Sequence, residues 1–339
     1  MSHQRVLEAI EEIKAGRMVI MMDDEDRENE GDLVYAATFS TPEMVNFMAR
    51  EARGLICVAI DKATALRFGL TPMVNTNTSQ HETAFTISID SKNATTGISA
   101  FERDETIRLM ADPTTTAEDF VSPGHIFPLV AREGGVLVRV GHTEGATDLC
   151  RLAGVAPVGV ICEIMKDDGT MARRDDLLPF AQRHGLKIIY ISDLVEYRLA
   201  RESLITKVYE EPKHLFGSDV VQQIYRDHLN REHTVVLFGE AKEESAVKFH
   251  TTMRDSALLT DNAKFTSLMN SIDYLKTHGG ILVFIDNRGE LPGVKEFGIG
   301  AQILHALGVK RVQLLTSSGN HDFGGLKGFG LIIAGEKKI

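Results

Sequence analysis

The chain has 339 residues and a formal net charge of −11 at pH 7, with 43% hydrophobic and 25% charged residues. This length exceeds what one ordinary hydrophobic core supports, so we expect two domains. The composition is that of a globular protein rather than a disordered one, and the acidic balance argues against a nucleic-acid-binding surface.

The cysteines and the apolar segments bear on the compartment. The three cysteines, Cys57, Cys150 and Cys162, form no C-x-x-C pair, which argues against a disulfide framework and a cysteine-rich zinc site. Residues 2–16 lack the uncharged core of a signal peptide, and no window reaches the roughly eighteen apolar residues of a membrane span. We therefore expect a cytoplasmic protein without membrane contact.

Apolar spacing and cap residues predict the elements of a first domain in chain order. A helix should end at Gly16, and apolar runs at 18–22 and 33–37 predict two strands that flank an acidic loop. Thr41 and Pro42 then predict a helix start. The elements predicted after it are strands at 55–60, 83–89, 136–140, 158–165 and 187–191, turns at 122–125 and 134–135, and helices at 99–111, 146–153, 175–184 and 192–201.

The pattern starts again after residue 201. It predicts strands at 234–238, 281–285 and 312–315, and helices at 267–278 and 297–307. We place the domain boundary near residue 200, between domains 1–200 and 201–339. Because strands and helices mix without strict alternation, we expect an α+β fold, a mixed α/β layered domain followed by a second, smaller α/β domain.

The acidic loop is the densest cluster of charge in the sequence. Seven of the ten positions from Asp23 to Asp32 are carboxylates, with Arg27 among them. A turn anchored by two strands holds its oxygens in place, which a divalent cation requires. The alternative interpretation is a solvated acidic surface loop.

The turn at 141–144 is a candidate phosphate site. Gly141 and His142 follow a predicted strand and open a predicted helix, with Thr143 as N-cap and Arg139 nearby. Backbone N–H groups at a helix N-terminus, together with an arginine, suit a phosphate monoester. His142 could also bind a metal or transfer a proton. The alternative is a plain capping turn.

Two further residues are candidates for proton transfer. Glu163 lies inside an apolar strand, where a carboxylate is costly unless it is paired or protonated, so it is a candidate general acid or base. The alternative is that strand alternation turns Glu163 to solvent. His125 lies in a loop between a glycine and apolar residues, and taken alone it is typical of a structural histidine.

Together these segments resemble the 3,4-dihydroxy-2-butanone 4-phosphate synthase family of riboflavin biosynthesis. The matching segments occur in family order within residues 3–200. They are 23–32, 95–100, 123–128, 139–144, 162–163 and 167–173.

The resemblance implies a lyase that converts ribulose 5-phosphate to formate and 3,4-dihydroxy-2-butanone 4-phosphate. It also implies a Mg²⁺ or Mn²⁺ cofactor and a homodimer with its site near the subunit interface. By the family pattern, Glu28 and His142 hold the metal, His125 and Glu163 are catalytic, and Cys57 lies near an active-site cysteine position. The implied substrate contacts are Arg27, Glu28, Asp32, Arg139, Val140, Gly141, His142, Thr143 and Glu163.

The second domain resembles GTP cyclohydrolase II, but it departs from that family where the chemistry requires specific residues. That family holds zinc with three cysteines, whereas no cysteine follows Cys162, and the guanosine motif is reduced to residues 286–290. We therefore expect a domain that lacks zinc and activity and is kept for stability, dimerisation or regulation. Two alternatives stay open: a bifunctional enzyme with residual GTP cyclohydrolase II activity, and a non-catalytic cation-binding or interaction protein.

Overall fold

The chain divides into two compact units, Met1–Ala200 and Arg201–Ile339. The computed structural model describes residues 2–25, 27–79, 81, 83–286, 297–316, 326 and 329–339. Within these ranges no helix combines the length and the apolar character that crossing a membrane requires. The shortened motif at 286–290 lies outside the described residues apart from Asp286.

The first unit is built on a seven-stranded mixed sheet. Its strands are β1 Val19–Met22, β2 Gly31–Ala36, β3 Cys57–Ile60, β4 Ile89–Ser91, β5 Phe120–Val130, β6 Val158–Glu163 and β7 Lys187–Tyr190. They lie in the order β4-β5-β3-β6-β2-β1-β7. The β5–β3 and β1–β7 pairs are parallel, and the other four neighbouring pairs are antiparallel.

Helices cover both faces of this sheet. They are α1 Ser2–Lys14, α2 Pro42–Phe47, α3 Lys62–Arg67, α4 Ala100–Ala111, α5 His142–Leu152, α6 Arg174–His184 and α7 Ile191–Leu199. On one face α2, α4 and α6 bury Val45, Ile107 and Leu177 in a cluster with Leu33 and Tyr35 of β2. The opposite face is covered by α1, α5 and α7. Because side chains alternate along β2, Asp32 lies on the α5 face.

Local signals located many elements correctly. Thr41 caps α2 by accepting a hydrogen bond from the Met44 N–H, and Pro42 is the first helical residue, as predicted. The chain continues into a short π-helix, Met48–Ala52. Ser99 likewise caps α4 through the Glu102 N–H. The helix α3 was not predicted.

Three local predictions were wrong because long-range pairing overrides the local pattern. Of the predicted strand 83–89, only Ile89 belongs to a strand, β4. Phe85 and Thr86 form isolated β-bridges with Leu129 and Pro72. The predicted turn 122–125 does not reverse the chain. It is a bulge within β5, where the register with β4 jumps from Ile126 to Val121.

The predicted strand 136–140 is also wrong. Gly134 and Gly135 have φ of 96° and 60°, and they lead into a 3₁₀ turn at Gly135–Leu137. The buried carboxylate of Asp148 accepts a hydrogen bond of 2.8 Å from the Val136 N–H. A Cβ on Gly135 would lie 2.1 Å from that carboxylate, so this contact requires glycine.

The second unit contains a second seven-stranded mixed sheet, and the predicted fold class is confirmed. Its strands are β8 Ile205–Leu215, β9 Ser218–Asp227, β10 Glu232–Phe238, β11 Glu244–Thr251, β12 Gly280–Ile285, β13 Arg311–Thr316 and β14 Ile332–Lys338, and its described helices are α8 Asp255–Thr260, α9 Asn262–His278 and α10 Phe297–Ala306. The strand order is β14-β13-β11-β12-β10-β9-β8. Leu268, Ile272 and Leu275 of α9 pack on Val236 and Leu282. The sequence predicted β10, β12, β13, α9 and α10 and missed the others.

Candidate metal and substrate site

The acidic loop between β1 and β2 folds around one buried carboxylate. Asp23 is 6% exposed and accepts hydrogen bonds from the backbone N–H groups of Glu28 at 3.1 Å and Glu30 at 2.9 Å. Arg27 Nη1 lies 2.8 Å from both Asp23 Oδ2 and Glu28 Oε2. Arg173 donates to the carbonyls of Glu28 and Asn29 from outside the loop. The loop is therefore a fixed turn rather than the solvated loop of the alternative interpretation.

The start of α5 brings an imidazole to this loop. His142 Nδ1 lies 3.6 Å from Glu28 Oε2, and its Nε2 lies 3.2 Å from the Met21 carbonyl and 3.8 Å from Asp32 Oδ1. One ligand atom each from Asp23, Glu28 and His142 lies within 4.8 Å of the others. Glu28 and His142, the predicted metal ligands, thus lie close enough to share one ion. Asp23 was not predicted as a third ligand, although it directly follows the strand that fixes it.

Burial and charge act against each other in this cluster. Burial raises the pKa of Glu28, but His142 and Arg27 outweigh it and lower the pKa to about 2. Burial lowers the pKa of His142, but Asp32, Glu28 and Asp23 outweigh it and raise the pKa to about 9. Burial raises the pKa of Asp32 to about 8, and the nearby carboxylates of Glu163 and Glu28 add to that effect. The cluster therefore combines an ionised carboxylate, an imidazolium and a carboxyl that favours its proton.

Asp32 and Glu163 lie opposite each other in the β2–β6 pair. Residues directly opposite in an antiparallel pair project to the same face, here the α5 face. Glu163 is half-buried, and its Oε2 accepts a hydrogen bond of 2.9 Å from the Leu55 N–H, so it does not simply point to solvent. Gly54 packs so closely that a Cβ there would lie 2.3 Å from the Glu163 carbonyl oxygen. Glu163 is thus held in place beside Asp32.

This donor set fits a hard divalent cation. Carboxylate oxygens with one imidazole nitrogen are ligands that Mg²⁺ and Mn²⁺ accept. Asp32 Oδ1 is buried and has no hydrogen-bond partner among the described residues. A buried carboxyl oxygen without a donor is costly unless a cation or a ligand hydroxyl meets it.

The turn before α5 presents an arginine and a helix N-terminus. Arg139 Nη1 lies 2.6 Å from the buried Glu144 carboxylate, and Arg139 Nη2 donates to the His81 carbonyl at 2.9 Å. The predicted cap is wrong by two positions: Gly141 is the N-cap, and Thr143 lies inside the helix. Position 141 requires a glycine, since a Cβ there would lie 2.3 Å from Arg139 Nη1. Val140 connects Arg139 to Gly141 in the chain. The first N–H groups of α5 have no partners within the helix and can face an anion.

His125 lies apart from this cluster within the same unit. It belongs to β5, and β3 and β6 separate β5 from β2. Three strand spacings of about 4.8 Å place the backbones of β5 and β2 roughly 14 Å apart. The partner of the His125 ring is Asp90, at 2.8 Å. The structure therefore groups Arg27, Glu28, Asp32, His142 and Glu163 and leaves His125 outside that group.

The sequence also missed His81, whose Nδ1 lies 3.9 Å from Glu28 Oε1. No local pattern marks this residue, because its position depends on the fold of the loop before residue 83. Cys57 is 2% exposed and free. Burial raises the pKa of the Cys57 thiol, so this side chain is inert as a nucleophile.

Comparisons with known proteins match both units of the chain. A family model described as 3,4-dihydroxy-2-butanone 4-phosphate synthase matches residues 7–197, and one described as GTP cyclohydrolase II matches residues 287–338. The chain is 57% identical over 328 residues to a 3,4-dihydroxy-2-butanone 4-phosphate synthase of Wolinella succinogenes, covering 96% of this chain and 94% of the relative.

Two solved structures extend the comparison. A two-domain 3,4-dihydroxy-2-butanone 4-phosphate synthase from A. baumannii is 39% identical with a TM-score of 0.69, and the match covers 98% of each chain. A 3,4-dihydroxy-2-butanone 4-phosphate synthase in complex with two magnesium ions is 40% identical with a TM-score of 0.55, covering 57% of this chain and 95% of that one.

Proposed function

The chain belongs to the 3,4-dihydroxy-2-butanone 4-phosphate synthase family, and we propose that its acidic loop and the start of α5 bind Mg²⁺ and ribulose 5-phosphate together. The enzyme is a lyase of riboflavin biosynthesis. Its proposed products are 3,4-dihydroxy-2-butanone 4-phosphate and formate. The observation that carries the proposal is the 3.6 Å approach of His142 Nδ1 to Glu28 Oε2 beside the buried Asp23.

Glu28 and His142 are the proposed metal ligands, with Asp23 in reach of the same position. When bound, Mg²⁺ or Mn²⁺ would stabilise negative charge that develops on vicinal oxygens of the sugar. Arg27 holds the Glu28 carboxylate by a hydrogen bond of 2.8 Å, which keeps the ligand oxygen ionised and fixed.

The phosphate of the substrate is proposed to bind at Arg139 and at the N–H groups of His142 and Thr143, because the Gly141 N–H donates to the Arg139 carbonyl at 2.9 Å. Glu144 and the His81 carbonyl hold the guanidinium of Arg139 at this turn. Anchoring the phosphate here fixes which carbon of the sugar faces the carboxyl groups, and such orientation lowers the activation barrier.

Asp32 and Glu163 are placed to move protons. The raised pKa of Asp32, about 8, favours its protonated form near neutral pH, so it can donate a proton to a substrate oxygen. Glu163, held by the Leu55 N–H on the same face of the sheet, can accept a proton from a substrate carbon or oxygen. Enolisation and dehydration both require such transfers.

The proposed role of His125 requires a homodimer. Within one subunit β3 and β6 lie between the strand of His125 and β2, so the backbones of the two strands are roughly 14 Å apart by strand spacing. Around His125 lie exposed apolar side chains: Ile98 is 55% exposed, Phe101 71% and Val121 48%. We propose that a second copy covers this surface, so that each site receives His125 of the partner subunit.

The test of the site is formate release from ribulose 5-phosphate by the purified protein with Mg²⁺, with and without a chelator. Glu28→Gln should abolish both turnover and metal binding, whereas Glu163→Gln should lower kcat by about 100-fold or more with metal binding retained. Glu25→Gln is the matched control, because its side chain lies in the same loop and is 71% exposed. Activity that survives the chelator and Glu28→Gln would end the proposal.

Subunit complementation tests the shared site. Inactive Glu28→Gln and His125→Gln proteins are mixed, dissociated and reassembled. If each site takes His125 from the partner subunit, a mixed dimer contains one intact site and recovers about half of the wild-type activity. If the site lies within one subunit, every site carries one lesion and no activity returns.

The second unit is proposed to lack GTP cyclohydrolase II activity and to serve stability, dimerisation or regulation. No cysteine follows Cys162, so the unit has no thiolate to bind a catalytic zinc. Zinc-dependent formate release from GTP would contradict this. We further propose that the enzyme acts in the cytoplasm on its small-molecule substrate, without a nucleic-acid or membrane partner.

A further inference from the structure

Asp90 and His125 form a closely fitted pair on the sheet edge. The Asp90 carboxylate accepts the His125 backbone N–H with one oxygen and lies against the ring Nδ1 with the other, each at 2.8 Å. The Asp90 side chain is 8% exposed, whereas that of His125 is 43% exposed. One end of the imidazole is therefore buried against a carboxylate, and the other faces outward.

The backbone explains how both contacts are possible. The register of β4 against β5 jumps from Ile89 opposite Ile126 to Asp90 opposite Val121, so residues 122–125 bulge from the ladder. The side chain of Asp90 accepts the backbone N–H of His125, which the bulge withdraws from the ladder. Bulges of this kind redirect a side chain at the edge of a site.

A loop before α4 closes over the pair. Gly97 has φ of +81°, and a Cβ there would lie 2.0 Å from Asp90 Oδ2 and 2.6 Å from His125 Nδ1. The Glu102 carboxylate holds this loop by accepting five hydrogen bonds, from the N–H and hydroxyl groups of Thr95 and Thr96 and from the Ser99 hydroxyl. The loop is therefore held directly against the Asp90 side of the ring.

We propose that Asp90 is a positioning residue that fixes the Nδ1–H tautomer of His125 and leaves Nε2 as the nitrogen that exchanges a proton with the substrate. A carboxylate is only an acceptor, so the ring nitrogen that it faces must carry the hydrogen. The loop 95–99, held by Glu102, keeps this arrangement rigid. The inference rests on the proposed catalytic role of His125 and adds the group that orients it.

The test is Asp90→Asn, because an amide has the same shape but only one acceptor oxygen. If that oxygen keeps the His125 backbone N–H, the amide NH₂ faces Nδ1 and forces the hydrogen onto Nε2. We expect kcat to fall by about 100-fold or more, with KM and Mg²⁺ affinity within about threefold of the wild type. Asp119→Asn is the control: it makes the same change from carboxylate to amide in the same region, at a residue that accepts a hydrogen bond from the Thr116 N–H, and it should leave kcat unchanged.

The tautomer is measured directly by ¹H–¹⁵N NMR of protein labelled at histidine, with the His125 signals assigned from His125→Gln. The wild type should show Nδ1–H and Asp90→Asn should show Nε2–H. An unchanged tautomer in Asp90→Asn, or a kcat within about threefold of the wild type, would overturn the inference. If His125→Gln itself keeps full activity, the catalytic role of His125 fails instead, and the NMR result still decides whether Asp90 sets the tautomer.

Discussion

Metal binding should release a proton from His142, so the affinity for Mg²⁺ should rise with pH. An imidazole binds a metal only in its neutral form. Burial lowers the pKa of His142, but Asp32, Glu28 and Asp23 outweigh it and raise the pKa to about 9. A pH of 7 is two units below this pKa, so the metal must displace a proton that His142 binds, and this displacement costs about 2.7 kcal/mol. Affinity should therefore increase about tenfold per pH unit between pH 6 and 8, and it should level off above pH 9.

Isothermal titration calorimetry with Mg²⁺, in buffers of different ionisation enthalpy, measures both the affinity for Mg²⁺ and the number of protons released on binding. We expect about one proton released per ion at pH 7, and more if Asp32 ionises with the metal bound. A Mg²⁺ affinity that is independent of pH, with no proton release, would refute the assignment of His142 as a ligand.

Two further predictions concern packing. Gly97→Ala should lower kcat, because its Cβ would lie 2.0 Å from Asp90 Oδ2. Gly69→Ala is the control: Gly69 also has a positive φ but faces open space, so this variant should lose only stability. Steady-state kinetics of both variants measure the difference. Ile107 is fully buried, so Ile107→Ala should lower the free energy of unfolding, measured by urea denaturation, by about 2–5 kcal/mol. Leu66 is 72% exposed, so Leu66→Ala should change stability little. Equal effects within either pair would contradict the reasoning.

Much of the fold was readable from short-range signals. The caps at Thr41 and Ser99 act over three residues, and the apolar runs around the acidic loop directly mark β1 and β2. Such signals depend on neighbours in the chain, so they survive whatever the rest of the fold does. The same logic failed at 83–89 and 136–140, where partners from distant segments decided the backbone conformation.

The sequence by itself determined which chemical groups the protein has and where its turns lie: the carboxylates of the acidic loop, the histidine that opens α5 and the acid inside β6. Only the tertiary structure decided which of them meet. His142 reaches the Met21 carbonyl across 121 residues, and Asp90 reaches His125 across 35. The physical reason is that sheet order and register are set by burial of whole faces, which no local pattern encodes, and they place Asp32 beside Glu163 and His125 three strands away.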